Sequence, residues 1–516
     1  MRTKTIFRNS AWYYLDFACS FVSSLLLSVI VARKLGPSNL GYFNLVIWLT
    51  YAAGQFGSFG ISAATRKYTA EYLGRGEIRR ARKIVNDTLR AQSAVAFVLV
   101  ALVAVAVWRF VGPGHRLYTM LAVGSLLPFM VMGVYSQALA AAEDFRSNVQ
   151  VSLVATISNL LLVLWALHAG LGLVGVTGSL MVSRVIDMVF RWIQYQRRFP
   201  KAEPGPEPEY EGGRLRERMT RFYWQSSLLM ILNMVVWDRS EMLFLKYFCP
   251  IIQVAYYSLA FNISAQFLNF PQIFSEAASA TLMVEYGRDP KVTGFLTATT
   301  VRYICLFAFP LLFGMAATSP AVIQILYGSK YLPTIPVLTL SCVFALPRAM
   351  MLPVRQQLMT HERQAFLVVW GLITAVINGA VDWALIPRGG ALGAALGNGL
   401  AQGIASVGIV VYGIRKLDVR LDWGSLLKML LSASLMAAVA YPICQVLRPI
   451  PAALVAVPAG AAVYLAMLRW SGALATEDLR RLATVGDKLP FRLRGFYRML
   501  LEKLIAVPEA VASQSA

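Results

Sequence analysis

Several charged side chains sit inside stretches of this sequence that are otherwise apolar. Asp238, Arg239 and Glu241 interrupt FYWQSSLLMILNMVVWDRSEMLFLKYF, a run long enough to cross a bilayer. Arg184, Arg302 and Arg348 lie in three other runs, and Asp16, Glu276 and Asp382 in three more. A charge in hydrocarbon costs several kcal/mol unless it is paired or faces a wet cavity. Asp238 and Glu241 are three apart and share a helix face, so a cation must sit nearby or one carboxyl must hold a proton. Arg239 points about 100° away from Asp238 on a helix and is free to reach another neighbour. Arg184 and Asp187 are spaced to pair along one helix. Arg302, a few residues into its run, is placed either to snorkel or to line a site. Arg66 ends a run and reads as an interfacial anchor or a cavity-mouth residue. Asp16, Glu276 and Asp382 are candidates for a coupling proton or sodium ion; Asp16 and Asp382 fall near run ends, where solvation is the simpler account. Three scattered histidines have no metal-ligand spacing, and no metal or cofactor is implied.

These side chains must be carried by membrane-spanning helices. Of the 516 residues 57% are hydrophobic and only 14% charged, against about 25% charged in a soluble domain. At about 20 apolar residues per span, fourteen spans are expected, making an all-α polytopic membrane protein. The net charge of +22 is spread over connections rather than on one module, which argues against nucleic acid and for the positive-inside rule. The basic residues gather in Arg66 to Lys83, in Arg197 to Arg221 and after Arg480, whereas the alternate connections hold single cations such as Lys246, Lys330 and Arg448. Both termini are therefore expected in the cytoplasm. The basic N-terminus MRTKTIFRNS reads as the start of a retained first helix. Five scattered cysteines read as packing residues.

The chain is also doubled. Gly41-Tyr42-Phe43-Asn44-Leu45 matches Ala255-Tyr256-Tyr257-Ser258-Leu259, and Glu71-Tyr72 matches Glu285-Tyr286, at an offset of about 214 residues. Leu127-Pro128, Gln137, Glu143 and Asn159 match Leu346-Pro347, Gln356, Glu362 and Asn378 at about 219. The expected organisation is a six-helix lobe over 1–200, a cytoplasmic linker at 201–213, a second lobe over 214–420, two extra helices over 421–470 and a basic amphipathic tail over 471–516. An even number of spans per copy gives both lobes one orientation, related by an axis along the membrane normal. Pro128 and Pro347 hold equivalent places, and Pro353 adds a further break; all three are hinge candidates.

The segments VARKLGPSNLGYFN, AATRKYTAEYLGRGEIRRARK, AYYSLAFNISAQF and NGAVDWALIPRGGALGAALGNGLAQG resemble the multidrug/oligosaccharidyl-lipid/polysaccharide exporter superfamily. Within it the chain resembles the O-antigen-type lipid-linked oligosaccharide flippases, over nearly all of the first 470 residues. The resemblance implies a monomeric transporter of the cytoplasmic membrane, not an enzyme. It would move a polyprenyl-diphosphate oligosaccharide by alternating access through a cationic cavity. Arg348, Arg302, Arg184 and Arg66 are the candidates for binding it. Guanidinium suits this role, since it holds phosphate oxygens bidentately without losing its proton. Asp238, Arg239 and Glu241 become gate candidates, either closing the outward side or serving only as an interfacial cluster. Membrane lipids and a polysaccharide polymerase or glycosyltransferase assembly are the further expected partners. No phosphate-binding Gly-Lys-Ser/Thr loop is present, so drive is expected from an ion gradient, the membrane potential or removal of product. The alternatives are a lipid-linked peptidoglycan precursor flippase, a cation-coupled multidrug exporter and, in another class, a membrane glycosyltransferase or polymerase, for which the outward loops are too short.

Overall fold

In a computed structural model, residues 2–199 and 212–473 are described, and among them every regular element is helical. Seven helices precede the linker: α1 (Arg2–Ser58), α2 (Ile61–Gly74), α3 (Ile78–Phe110), α4 (Pro113–Gly124), α5 (Leu126–Ala141), α6 (Phe145–His168) and α7 (Gly172–Arg198). Eight α-helices follow it: α8 (Gly212–Trp237), α9 (Glu241–Phe248), α10 (Ile251–Arg288), α11 (Val292–Leu326), α12 (Thr334–Thr360), α13 (Gln364–Lys416), α14 (Trp423–Val446) and α15 (Pro449–Ser471). The expected linker and the expected amphipathic tail lie almost wholly outside the described residues.

Eleven helical stretches are long and apolar enough to cross a membrane. Two of them are double. The backbone of α1 turns at Gly36 (φ 78°), where only glycine pays no steric penalty, and Pro37 restarts the helix with a pre-set φ. The backbone of α13 turns likewise at Gly390 (φ 54°). With α8, 26 residues long, the expected fourteen spans are met. Many large apolar side chains face outward, among them Phe97, Leu102, Val105, Trp108 and Phe110 on α3. A contiguous exposed apolar face of this size needs a non-aqueous solvent.

The described residues fall into two compact units, Met1–Ser258 and Leu259–Ala516. Near the loop ends of the first, Tyr68 and Tyr72 of α2, Ile84 of α3, Val134 and Tyr135 of α5, Tyr195 of α7 and the following Phe199 form one buried core. The rings of Tyr135, Tyr195 and Phe199 follow one another with centroids 5.3 and 5.1 Å apart. In the second, the two extra helices α14 and α15 pack on α11 through Ala317, Ala321, Ala440, Ala452 and Ala456, small residues that let helix backbones approach. Tyr464 of α15 donates to the Leu306 carbonyl at 2.8 Å.

The repeat is visible in backbone detail. Glu143 and Glu362, matched in the sequence, both adopt φ 57°. Each closes its helix with the same pair of bonds: Glu143 N to Ala140 O with Asp144 N to Leu139 O, and Glu362 N to Met359 O with Arg363 N to Leu358 O. The matched prolines differ. Pro128 lies just past the α4–α5 interruption at Ser125, whereas Pro347 and Pro353 sit inside the unbroken α12.

Candidate functional site

The apolar run from Phe222 to Phe248 is not one helix. It breaks at Asp238–Ser240 between α8 and α9, so the expected shared face of Asp238 and Glu241 does not exist. The break separates their environments instead. Asp238 Oδ1 accepts from the Arg239 backbone N–H at 2.9 Å and from Arg239 Nε at 3.4 Å, so Arg239 bonds its own sequence neighbour. Glu241 opens α9 and is fully buried, and Tyr257 donates its hydroxyl to Glu241 Oε2 at 2.6 Å. The repulsion anticipated between two carboxylates is removed by giving each its own donor.

The break looks onto a second group in the same unit. Tyr51 of α1 has Gln55 within hydrogen-bonding reach and lies in the electrostatic range of Asp238, Arg239 and Arg184. Its ring lies 6.1 Å from that of Phe129 on α5. Gly54 makes room, because a Cβ there would come within 3.0 Å of the Phe129 ring. Arg184 of α7 stacks over the other side of this cluster, with Cζ 4.3 Å from the Phe129 centroid. The expected Arg184–Asp187 pairing gives way to another arrangement. Asp187 accepts from Arg191, four residues on, and Arg191 also donates to Asn148 on α6. Both are about nine-tenths buried, so this network satisfies them structurally, while Arg184, still within electrostatic reach of Asp187, stacks on the aromatic face.

In the second unit Arg348 of α12 donates through Nη1 to Gln402 Oε1 of α13 at 3.4 Å. The offset of about 219 makes Arg348 equivalent to Phe129, and Gln402 the neighbour of the position equivalent to Arg184. Each unit thus holds one guanidinium between the fourth and sixth spans of its repeat. In the first it comes from the sixth span, in the second from the fourth.

Asp382, expected near a solvated end, is fully buried instead, because the kink at Gly390 folds α13 back and brings Gly397 against its Oδ1. Arg302 is tied within its unit: it donates to the Ala473 carbonyl at 3.0 Å and lies 3.6 Å from Asp422. Glu276 is exposed and accepts from Gln272 at 3.1 Å. Arg66 is exposed on α2, next to the buried Thr65 and two residues from Tyr68. The side chain of Asp16 lies outside the described residues.

The two copies of the repeated motif also touch. The second half of α1 meets the start of α10, where a Cβ on Gly41 would run into the Ile251 carbonyl. One turn on, Asn44 Nδ2 donates to Ser258 Oγ at 2.7 Å, a bond between equivalent positions. Sequence reading found the motif but not this contact. It also missed Tyr51, Phe129, Tyr257 and Gln402, which are uncharged or aromatic and carry no signal in an apolar chain.

A family model described as polysaccharide biosynthesis protein matches residues 30–336. No curated protein matches the chain in sequence. Among solved structures, the lipid II flippase MurJ in an inward closed conformation superposes with a TM-score of 0.71 at 13% identity, over 89% of this chain and 98% of its own. An inward-facing multidrug resistance MATE family transporter of the MOP superfamily gives 0.63 at 14%, over 77% and 94%. A MOP superfamily transporter from Pyrococcus furiosus, described as having a binding pocket of reverse polarity, gives 0.60 at 14%, over 80% and 96%. At such identities the likeness is one of fold, and the fold is that of the MOP-superfamily transporters.

Proposed function

This chain belongs to the polysaccharide biosynthesis protein family, and we propose that it translocates a polyprenyl-diphosphate-linked oligosaccharide across the cytoplasmic membrane by alternating access. The observation that carries this reading is the paired placement of Arg184 and Arg348, one per unit, at corresponding fourth-to-sixth-span junctions. A diphosphate carries about two negative charges, and a guanidinium can hold phosphate oxygens bidentately without losing its proton. The positive-inside distribution supports cytoplasmic termini. The contact of Gly41 and Asn44 with α10, together with the Asp238–Glu241 break, is then the closing surface on the opposite side. Asp382, buried inside its own unit, is a candidate for a coupling ion.

The test is transfer of a fluorescent polyprenyl-diphosphate sugar in proteoliposomes. Arg184→Ala and Arg348→Ala should each lower the rate at least tenfold, and the lysine variants should fall less. Near-normal transfer by both alanine variants at normal protein levels would refute the assignment. Translocation of a lipid-linked peptidoglycan precursor is the second reading. It is favoured by the larger share of this chain that superposes on the lipid II flippase than on the MATE transporter. Comparing rates for the two carrier classes in the same vesicles separates them.

A further inference from the structure

A cavity of about 170 Å³ opens in the second unit between the C-terminal part of α10, the start of α11 and the end of α12. Its polar lining is neutral: Ser275, Ser279, Thr281, Thr297, Thr300 and Gln356, with Ala278, Leu282 and Pro353 among the apolar walls. Ser275 and Thr297 are each 1% exposed, and neither hydroxyl has a hydrogen-bond partner within the protein. Buried hydroxyls are nearly always satisfied, so two orphans on one cavity point to an outside partner. Ser279 and Thr300 spend their protons on the Glu276 and Leu296 carbonyls, which leaves their oxygens as acceptors. The wall therefore offers both donors and acceptors and no charge.

The repeat shows that the cavity is particular to this unit. At the offset of about 214, Ala278 and Leu282 correspond to Ala64 and Tyr68; at about 219, Pro353 corresponds to Val134. Those three residues belong to the filled aromatic core of the first unit. Replacing a tyrosine ring by leucine opens the space, and Ser275 and Ser279 stand where the first unit has Ile61 and Thr65. One copy of the repeat packs this place for stability, and the other leaves it open and polar.

We propose that this cavity is a sugar subsite, which holds one pyranose ring of the lipid-linked glycan; the proposal rests on the reading of the protein as a lipid-linked glycan transporter. A neutral polyol needs hydroxyl and amide partners that both donate and accept, flanked by apolar surface for its C–H faces, and the lining supplies both. A free cation would call for carboxylates and a phosphate for cations, and the lining has neither. The volume is below the roughly 300–1,000 Å³ of pockets for larger ligands, so it suits one ring rather than a chain. It lies at the end of the unit that carries the α10–α11 and α12–α13 turns with Arg288, Lys291 and Arg363, the side from which substrate is expected to load.

The experiment measures binding of four probes to the purified full chain: undecaprenyl diphosphate, and the same carrier bearing glucose, galactose or N-acetylglucosamine. The wild type should bind at least one sugar-bearing carrier about tenfold tighter than the bare carrier. Leu282→Tyr, which restores the residue of the first unit, should abolish that preference and leave affinity for the bare carrier unchanged. The double variant Ser275→Ala/Thr297→Val, which removes the hydroxyls with little change of shape, should do the same and guards against a Leu282→Tyr chain that fails to fold. A preference that survives in a folded variant, or a wild type with no preference among the four probes, overturns the subsite while leaving diphosphate binding intact. A wild type that binds none of the four overturns the functional reading itself.

Discussion

Removing the Asn44 amide should loosen the contact between the two motif copies by a calculable amount. Asn44 donates to Ser258 at 2.7 Å, a neutral bond from a half-buried amide to a fully buried hydroxyl. Such a bond contributes about 0.5–1.5 kcal/mol net. At 1.4 kcal/mol per tenfold, Asn44→Ala should raise the population with α1 and α10 apart by about 2- to 12-fold. A complete reversal of a two-state balance takes about 5.5 kcal/mol, so the variant biases the equilibrium without locking it. Gly41→Ala should act more strongly, because its Cβ would meet the Ile251 carbonyl, a backbone atom that cannot rotate away. Gly379→Ala is the control, since nothing lies within 4 Å of a Cβ there. The reporter is Val254→Cys, a smaller side chain at a fully buried position beside Ala255. The half-buried Cys19 and Cys249 are changed to serine, and Cys305, Cys342 and Cys444 are buried. Labelling by a membrane-impermeant maleimide from outside should increase in the order wild type, Asn44→Ala, Gly41→Ala. Equal labelling in all three, at normal protein levels, would show that the contact does not close this side.

Asp187→Asn should lower stability by about 3–5 kcal/mol, because it leaves Arg191 buried beside a neutral partner; thermal unfolding in detergent reads this, and a Tm unchanged from wild type would contradict the network. Phe129→Leu should remove a cation–π contact of about 0.5–2 kcal/mol and reduce substrate transfer without a comparable loss of Tm. His361, in the turn between α12 and α13, packs against Tyr286 and shares a 3.0 Å bond with Thr293. Burial and then Arg363 hold its pKa below the usual histidine value. The unfolded chain thus takes up the proton first, so stability is full above about pH 6.5 and falls as pH drops through the lower folded value. His361→Gln should flatten that decline in a series of melting curves. The Asp422 carboxyl, held below its usual range chiefly by Ser425 at the start of α14, contributes stability above about pH 4 that is lost at lower pH. Asp422→Ala should cost about 0.5–2 kcal/mol of it at neutral pH.

Hydrophobic run length, loop charge and internal repetition are one-dimensional properties, and they were enough to fix the fold class, the span number and the doubling. A bilayer imposes this legibility: each span must satisfy its own backbone and present an apolar surface, and both demands are written locally. The equivalence of Glu143 and Glu362, read from letters, recurs as one and the same helix-ending turn. The site residues were legible only as charges. Their partners depend on which helix faces which, and a helix period cannot encode that. Asp187 had Arg184 and Arg191 at equally good spacing, and packing against Asn148 on α6 chose Arg191. Asp238 and Glu241 looked like neighbours on one face until the chain broke between them, and a buried tyrosine from the next helix decided the fate of Glu241. Asp382 looked solvated until the Gly390 turn laid α13 over it. The hydroxyl-lined cavity had no sequence signal at all, because serine and threonine in a membrane helix ordinarily bond their own backbone. Only packing brought Ser275 and Thr297, both without that partner, to one cavity beside a leucine too small to fill it.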